Sequence, residues 1–393
     1  MSDHYFLVLD IGTTGVKAFV FDAHSAVVAH AYRTLSKDTP QPGRVEQDPE
    51  EIIDASRAVL SEAASEANVG SDDLLSMGIA NQRETIVAWD LVTGLALAPA
   101  IVWEDTRTKE WCETIYGAAA DEVREKTGLR LDPTFSAPKI RWLLDENIDV
   151  SRAAEEKRLA VGTVDSWALF RLSQEGRHMT DMTNASRTLL YNIHGHKWDR
   201  ELLEMFGIER DILPAVRSSR ALYGTLAPDI CGSEVPIEVI CGDQQASLSA
   251  AGFTPQTTKI TYGTGTFIMQ TLGDEFLLDD TFLTTLTPAS AIGSVQYAFE
   301  ARIAGTGERV ASVLGDEEDL EGVLDGIAHD VDALLTELPY PAATIVVDGG
   351  ITQSDYLVRR QGEISKAEIT RQPIHDGTAL GVMRLLSSIH HGT

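Results

Sequence analysis

The chain has little positive charge for its length. Its 393 residues carry 32 Lys and Arg against 60 Asp and Glu, a formal net charge of −28 at pH 7. A surface of this sign repels nucleic acid and anionic membrane, so we expect neither as a partner. The acidic residues are spread along the chain, which favours adaptation to concentrated salt (an acidic proteome) over a single acidic recognition surface.

Cysteine is also scarce, and long apolar runs are absent. Cys112, Cys231 and Cys241 show no C-x-x-C spacing, which predicts reduced thiols in a cytoplasmic protein. No basic N-terminal region precedes an apolar run, and no segment reaches the length of a membrane span. Hydrophobic residues make up 43% of the chain, enough for well-packed cores. The length predicts two domains, and we place them at residues 1–242 and 243–393.

A glycine- and threonine-rich turn lies near the start of the chain. An apolar run reaches Asp10, Gly12-Thr13-Thr14-Gly15 follows, and a second apolar run begins after it. This pattern predicts a β-hairpin whose backbone N–H groups, hydroxyls and Lys17 amine suit phosphate oxygens. Asp10 is a carboxylate placed to hold hydrated Mg²⁺. A hairpin of this composition without function explains the turn equally well.

A second turn of the same kind occurs in the other half of the chain. Residues 260–270 contain Gly263-Thr264-Gly265 between two apolar strands. Two such hairpins suggest a duplicated domain that binds a nucleotide from both sides. Neither turn completes the P-loop pattern or the Rossmann G-x-G-x-x-G pattern, which excludes both of those nucleotide folds.

The remaining pattern is an alternation of strands and helices. Asp48 and Pro49 predict the start of a helix over residues 50–67, and further helices are predicted at 138–144, 320–338 and 378–389. In the 138–144 helix, Lys139 and Arg141 are most simply solvated. The segments 27–32, 75–80, 86–89, 237–241 and 344–348 are predicted strands.

Three polar groups follow predicted strands, where α/β sheets present their sites. The pair Arg83-Glu84 offers donors and an acceptor for a polyhydroxy substrate, Trp103 an apolar wall, and Asp243 a general base. Each also has a plain structural explanation: a buried salt bridge for the pair, core packing for Trp103 and a helix N-cap for Asp243. His194 and His196 have no partner cluster, which disfavours a metal site there.

These residues resemble the FGGY carbohydrate kinases, and among them the members that act on glycerol. Asn81-Gln82-Arg83-Glu84-Thr85 and Gly242-Asp243-Gln244-Gln245 are the most specific motifs. The resemblance covers nearly the whole chain, in the segments 10–17, 43–49, 81–85, 101–107, 162–167, 180–193, 242–245, 262–267, 348–350 and 378–381.

The resemblance implies an α/β fold of two actin-like (ribonuclease H-like) domains with the active site in the cleft between them. It implies ATP and Mg²⁺, phosphorylation of glycerol to sn-glycerol 3-phosphate, and a homo-oligomer. Asp243 would be the catalytic base, and Asp10 and Asp243 would hold Mg²⁺ largely through water. The implied glycerol contacts are Arg83, Glu84, Trp103, Phe135, Asp243, Gln244 and Phe267. The implied nucleotide contacts are Thr13, Thr14, Gly15, Lys17, Gly263, Thr264, Gly265, Gly307, Gly350 and Ser354.

The sequence departs from the family pattern in two places. Phe135 stands where the family has a tyrosine that contacts glycerol, a loss of about 0.5–1.5 kcal/mol for one hydrogen bond. Residues 311–321 replace a long glycine- and aromatic-rich segment on the adenine side, and Ala311 and Ser354 replace amide side chains. Two alternatives therefore stay open: another sugar kinase of the family, such as a pentulose kinase, and a non-catalytic polyol-binding or regulatory relative.

Overall fold

The computed structural model describes residues 4–70, 73–254, 256–288, 295–313, 315, 317–374 and 376–391. They group into two units. The first contains the described residues up to Asp243 together with those from Val382 onward, and the second contains the described residues from Gln244 to Gly381.

The first unit alternates strands and helices as far as Gly242. It also contains a short 3₁₀ helix at Arg210–Ile212. In chain order the elements are β1 (Tyr5–Ile11), β2 (Gly15–Asp22), β3 (Val27–Thr34), β4 (Glu46–Gln47), α1 (Pro49–Ala67), β5 (Leu74–Asn81), β6 (Ile86–Asp90), β7 (Ala100–Ile101), α2 (Lys109–Thr127), α3 (Ser136–Glu146), α4 (Ile148–Glu155), β8 (Leu159–Thr163), α5 (Val164–Leu172), β9 (Met179–Asp181), α6 (Met182–Ala185), β10 (Tyr191–Asn192), β11 (Lys197–Trp198), α7 (Arg200–Phe206), β12 (Ala215–Arg217), β13 (Arg220–Leu226), α8 (Pro228–Cys231) and β14 (Val235–Gly242).

The second unit has fewer elements, and its last helix ends in the first unit. In chain order they are α9 (Asp243–Ala251), β15 (Thr258–Tyr262), β16 (Thr266–Gly273), β17 (Leu283–Leu286), β18 (Tyr297–Ile303), α10 (Thr306–Ala311), α11 (Glu317–Leu335), β19 (Thr344–Asp348), α12 (Asp355–Ser365), β20 (Glu368–Arg371) and α13 (Gly377–His391).

The main sheet of the first unit has the strand order β13-β14-β5-β1-β2-β3. Strands β1, β2 and β3 form an antiparallel meander, and β5 and β14 continue the sheet parallel to β1. Strand β1 is buried on both faces, as expected of a central strand. The carboxyl ends of β1, β5 and β14 therefore meet at one edge of the sheet.

Five strands of the main sheet of the second unit repeat the arrangement β3-β2-β1-β5-β14, whereas the sixth strand lies at the other end of the sheet. Its strands run β17-β18-β16-β15-β19-β20, with β15, β16 and β18 antiparallel and β19 and β20 parallel to β15. Each sheet thus has a three-strand meander followed by two parallel strands. This shared topology confirms the duplication that the two glycine-threonine turns predict, and the predicted α/β fold class.

Helix α1 shows how local sequence and packing agree. Asp48 caps it by accepting a hydrogen bond from Glu50 N at 2.9 Å, and Pro49 opens it, as predicted. Its apolar face, with Ile52, Ile53, Val59, Leu60 and Ala63, belongs to the core cluster that includes β1, β2 and β3.

Two glycines allow close helix contacts. A Cβ at Gly78 in β5 would lie 2.3 Å from Val382 Cγ1, so the end of α13 rests against β5 within the first unit. A Cβ at Gly381 would lie 1.7 Å from the Ala246 carbonyl oxygen, so the beginning of α13 crosses α9 within the second unit.

Lys139 corrects one expectation from the sequence. The predicted helix is present as α3, but this lysine is fully buried instead of solvated, whereas Arg141 is half-buried and pairs with Asp145. Leu314 and Asp316, within the shortened 311–321 segment, lie outside the described residues. Among the helices described, none has both the length and the apolar character needed to span a bilayer.

Candidate active site

Three neighbouring parallel strands of the first unit end in polar side chains. In the sheet register Asp10 lies opposite Ala80, and Ala80 lies opposite Cys241. Two strand spacings separate β1 from β14, about 10 Å. One edge of the sheet therefore carries three groups, which are Asp10, the residues that follow Asn81, and also Asp243.

The first predicted phosphate turn is present as the β1–β2 hairpin. Its turn is closed by Gly12 N, which donates to the Gly15 carbonyl oxygen at 3.0 Å. Gly15 has no room for a side chain, since a Cβ would lie 2.5 Å from the Arg33 carbonyl oxygen. Lys17 Nζ lies 3.9 Å from Asp10 Oδ2, so the amine and the carboxylate flank the same turn.

Arg83 and Asp243 face each other across the sheet edge. Arg83 Nε lies 3.2 Å from Asp243 Oδ1, and the arginine side chain is 4% exposed against 28% for the aspartate. Arg83 pairs with Asp243 and Glu84 pairs with Arg187, so the plain explanation, a buried salt bridge, describes both residues as well as the site explanation does. Asp243 is also the first residue of α9, one position after the N-cap position that the plain explanation gave it.

Glu84 is held by Arg187, a residue that the sequence analysis did not select. Arg187 Nε donates to Glu84 Oε1 at 2.5 Å, and both side chains are buried. Glu84 has φ 63°, a left-handed conformation that costs a non-glycine residue about 1–3 kcal/mol. Phe135 completes this group, because the Arg187 guanidinium carbon lies 5.2 Å from the centre of its ring.

Lys139 bonds to the backbone of the loop that carries Phe135. Its Nζ donates to the carbonyl oxygen of Thr134 and to that of Phe135, the latter at 3.4 Å. Burial lowers the pKa of Lys139 to about 8, and the nearby carboxylates of Glu84, Asp105 and Asp132 oppose that shift. The Lys139 amine thus holds the loop that carries Phe135. Burial makes the charged form of this amine unfavourable.

Trp103 links this region to the first phosphate turn. Its Nε1 donates to Thr13 Oγ1 at 2.9 Å, and the ring is half-buried. Core packing alone therefore does not account for Trp103. The sequence analysis also missed Gln47 and Gln82, two buried glutamines that bond to the same turn.

Gly307 and Thr264, two of the predicted nucleotide residues of the second unit, lie close together. A Cβ at Gly307, in the first turn of α10, would lie 2.8 Å from Thr264 Cα. Gly307 N donates to the Thr264 carbonyl oxygen at 3.1 Å, so this helix begins directly against the second glycine-threonine turn. Gly349 precedes Gly350. A Cβ on Gly349 would lie 2.3 Å from the Tyr262 carbonyl oxygen, which is a clash.

Three further predicted residues also belong to this unit. Gln244 Oε1 accepts from Thr261 Oγ1 at 3.4 Å, and the Arg302 guanidinium carbon lies 5.7 Å from the centre of the Phe267 ring. Ser354 caps α12, where its hydroxyl accepts a hydrogen bond from Leu357 N.

The carboxylates suit a hydrated divalent cation. Among the residues described, no group of three His, Cys, Asp and Glu side chains is placed to hold a metal ion directly. Mg²⁺ keeps several waters and takes one or two carboxylates together with substrate phosphates. Asp10 and Asp243, on two strand ends beside a phosphate-type turn, fit that donor set.

Comparison with known proteins identifies the family. Residues 5–250 match the N-terminal domain of the FGGY family of carbohydrate kinases. This chain belongs to that family. It is 35% identical to the glycerol kinase of Chromobacterium violaceum over 98% of this chain and 89% of the relative. It is 42% identical to the glycerol kinase of Citrifermentans bemidjiense over 85% of this chain and 67% of the relative.

Solved structures of FGGY kinases share the fold. The structure of Plasmodium falciparum glycerol kinase with ADP has a TM-score of 0.91 and 25% identity, covering 98% of this chain and 90% of that one. Gluconate kinase from Lactobacillus acidophilus has a TM-score of 0.85 at 16% identity, covering 100% of this chain and 90% of that one, a likeness of fold alone. This chain is thus a two-unit carbohydrate kinase that uses ATP.

Proposed function

We propose that this FGGY kinase transfers the γ-phosphoryl group of ATP to glycerol, giving sn-glycerol 3-phosphate and ADP. The main support is the contact between the buried Arg83 and the partly exposed Asp243 at the sheet edge. This contact supports assigning Arg83 as a fork of hydrogen-bond donors and Asp243 as the base. The glycerol kinases among its relatives support the choice of substrate.

Glycerol would be recognised by polar side chains and apolar side chains together. Arg83 donates to hydroxyl oxygens, Glu84 accepts from hydroxyl protons, and Trp103 packs against the carbon backbone. Phe135 contributes an apolar wall without the hydroxyl of a tyrosine. From the second unit we assign Gln244 as a hydroxyl partner and Phe267 as an apolar wall.

Asp243 would act as the general base. Its carboxylate takes the proton of the reacting glycerol hydroxyl while that oxygen bonds to the γ-phosphorus, and the bond from the γ-phosphorus to the bridging oxygen breaks to release ADP. Arg83 orients the carboxylate. The step depends on alignment and on neutralising charge more than on covalent chemistry.

The phosphates would be held by two hairpins. We assign Thr13, Thr14, Gly15 and Lys17 from the first unit, and we assign Gly263, Thr264, Gly265, Gly307, Gly350 and Ser354 from the second. Mg²⁺, held through water by Asp10 and Asp243, would neutralise charge on the phosphoryl oxygens. The proposal includes a cytoplasmic location, which the three unbridged cysteines support, and a homo-oligomeric state, which rests on family resemblance.

A coupled assay of ADP release with MgATP in concentrated salt tests the substrate. Turnover with glycerol should exceed turnover with xylulose, ribulose or gluconate. A preference for a ketopentose would assign the chain to another activity of the family.

Calorimetric titration of MgATP, with and without glycerol, tests whether the shortened segment still permits catalysis. Both ligands should bind, and each should tighten the other. Glycerol binding without nucleotide binding at millimolar concentration would instead indicate a non-catalytic relative.

A further inference from the structure

Two buried glutamines connect the first phosphate hairpin to the loop that carries Arg83. Gln47, at the end of β4, is 3% exposed, and Gln82, directly after β5, is 1% exposed. Neither has a role in the proposed chemistry. A buried amide is costly unless its donors and acceptors are satisfied, so the partners of these two side chains are informative.

The hydrogen bonds fix the orientation of both amides. Gln47 Nε2 donates to the Thr13 carbonyl oxygen at 2.8 Å, and that oxygen can only accept. The other end of the Gln47 amide, Oε1, must therefore accept, and Gln82 Nε2 donates to it at 2.8 Å. This in turn directs Gln82 Oε1 toward hydroxyl donors.

Gln82 uses its whole hydrogen-bonding capacity. Besides Gln47, its Nε2 donates to the Gly12 carbonyl oxygen at 3.4 Å. Its Oε1 accepts from Thr13 Oγ1 at 3.2 Å and from Thr85 Oγ1 at 3.0 Å. Two donors and two acceptors are the full complement of a primary amide. Gln82 therefore joins the turn of the hairpin to the loop after β5.

The network includes Trp103. Thr85 Oγ1 accepts from Trp103 N at 3.1 Å, and Trp103 Nε1 donates to Thr13 Oγ1 at 2.9 Å. The Thr13 hydroxyl thus has its single hydrogen directed to Gln82 and one lone pair directed to Trp103. One network of hydrogen bonds therefore joins the phosphate turn to Trp103, the residue proposed as an apolar wall for glycerol.

We propose that Gln47 and Gln82 are positioning residues that hold the Gly12–Thr13 turn in the geometry that binds nucleotide phosphate. The inference rests on the proposed nucleotide role of this hairpin. Because the side-chain hydrogen bonds described for Gln47 go to the hairpin and to Gln82, its loss should affect nucleotide binding more than glycerol binding. Loss of Gln82, which also reaches Trp103 through Thr85, should affect both.

The test compares Gln47→Met and Gln82→Met with the unaltered chain. Calorimetric titration with MgADP should show binding weakened about five- to twenty-fold in each variant, from the loss of two or more hydrogen bonds. In steady-state assays Gln47→Met should raise the KM for ATP by a similar factor and leave the KM for glycerol within about two-fold. Gln82→Met should raise both.

A matched control removes a buried glutamine elsewhere. Gln270 in β16 is fully buried and donates to Thr258 Oγ1 and to the Tyr340 carbonyl oxygen, each at 2.9 Å. Gln270→Met should leave the MgADP affinity within about two-fold. If it weakens binding as much as Gln47→Met does, general loosening explains the loss and the proposal is overturned.

A further variant, Gln47→Glu, changes a single hydrogen bond. Gln47→Glu retains the volume and the bond from Gln82 but cannot donate to the Thr13 carbonyl oxygen, so it should weaken MgADP binding as Gln47→Met does, even if the methionine variants do not fold. Unchanged MgADP affinity in Gln47→Glu overturns the positioning role. If the unaltered chain binds MgADP but does not phosphorylate glycerol, the proposed function fails while this inference is still decided by the affinities. An unaltered chain that does not bind MgADP refutes both.

Discussion

Asp243 is the residue on which the proposed reaction depends most. Asp243→Asn keeps the shape but cannot take the hydroxyl proton, so turnover should fall by about 10²–10⁴-fold. Glycerol affinity, measured by calorimetry, should change much less. Asp229→Asn, which alters an exposed aspartate of the same unit, serves as the control. Near-normal turnover in Asp243→Asn would remove this residue from the mechanism.

Lys139 gives the first unit a pH-dependent stability. Its folded-state pKa of about 8 lies below the ordinary 10.5, because burial disfavours the charge. Between these pH values the unfolded chain binds the extra proton, so stability contributed at this site rises with pH over that window. The gain is on the order of 1–3 kcal/mol.

Replacing the lysine tests this effect. Denaturant unfolding of the unaltered chain should gain stability relative to Lys139→Met as the pH rises from 8 to 10.5. Lys197→Met, which removes an exposed lysine, should run parallel to the unaltered chain over the same range. Parallel curves for Lys139→Met would mean that Lys139 does not titrate in this window.

At the scale of elements, the contact between α9 and α13 depends on one glycine. At Gly381 a Cβ would overlap the Ala246 carbonyl oxygen at 1.7 Å, a backbone atom that cannot turn aside. Gly381→Ala should therefore lower the free energy of unfolding by about 1–3 kcal/mol or more, since the helices must move apart.

A second helical glycine provides the matched control. A Cβ at Gly322, in α11, would meet nothing within 4 Å, and the residue is exposed. Gly322→Ala should be neutral or stabilising by up to about 1 kcal/mol, because alanine is the better helix former. Chemical denaturation of the two variants side by side distinguishes loss of close packing from an effect of helix propensity.

Across the whole molecule, the formal charge of −28 should make stability depend on salt. Repulsion among surface carboxylates favours the expanded chain, and added ions screen it over a Debye length. The Tm should rise as KCl is raised from about 0.05 M to about 2 M, most steeply at the low end, where the Debye length changes most. A Tm that is independent of KCl would show that the acidic surface is not an adaptation to salt.

The sequence determined those features that depend on residues close together in the chain. The hairpin with Gly12 and Gly15, the Asp48 cap of α1 and the repeat of the glycine-threonine turn follow from local sterics and hydrogen bonding, and the structure confirms them. The motifs also placed Arg83, Trp103 and Asp243 at strand ends, because polar residues that follow buried strands can be recognised without knowing their partners.

Only the tertiary structure decided which of these groups meet. Arg83 pairs with Asp243 because β5 and β14 lie side by side, a register that local patterns do not specify. Glu84 and Arg187 are 103 residues apart in sequence and form a buried pair. Lys139 shows most clearly what the sequence alone could not predict. Charge favoured solvent for this residue, but the carbonyl oxygens of the loop and nearby carboxylates hold its amine in the interior. Burial of a charge is decided by partners that folding brings together, and those partners are distant in the chain.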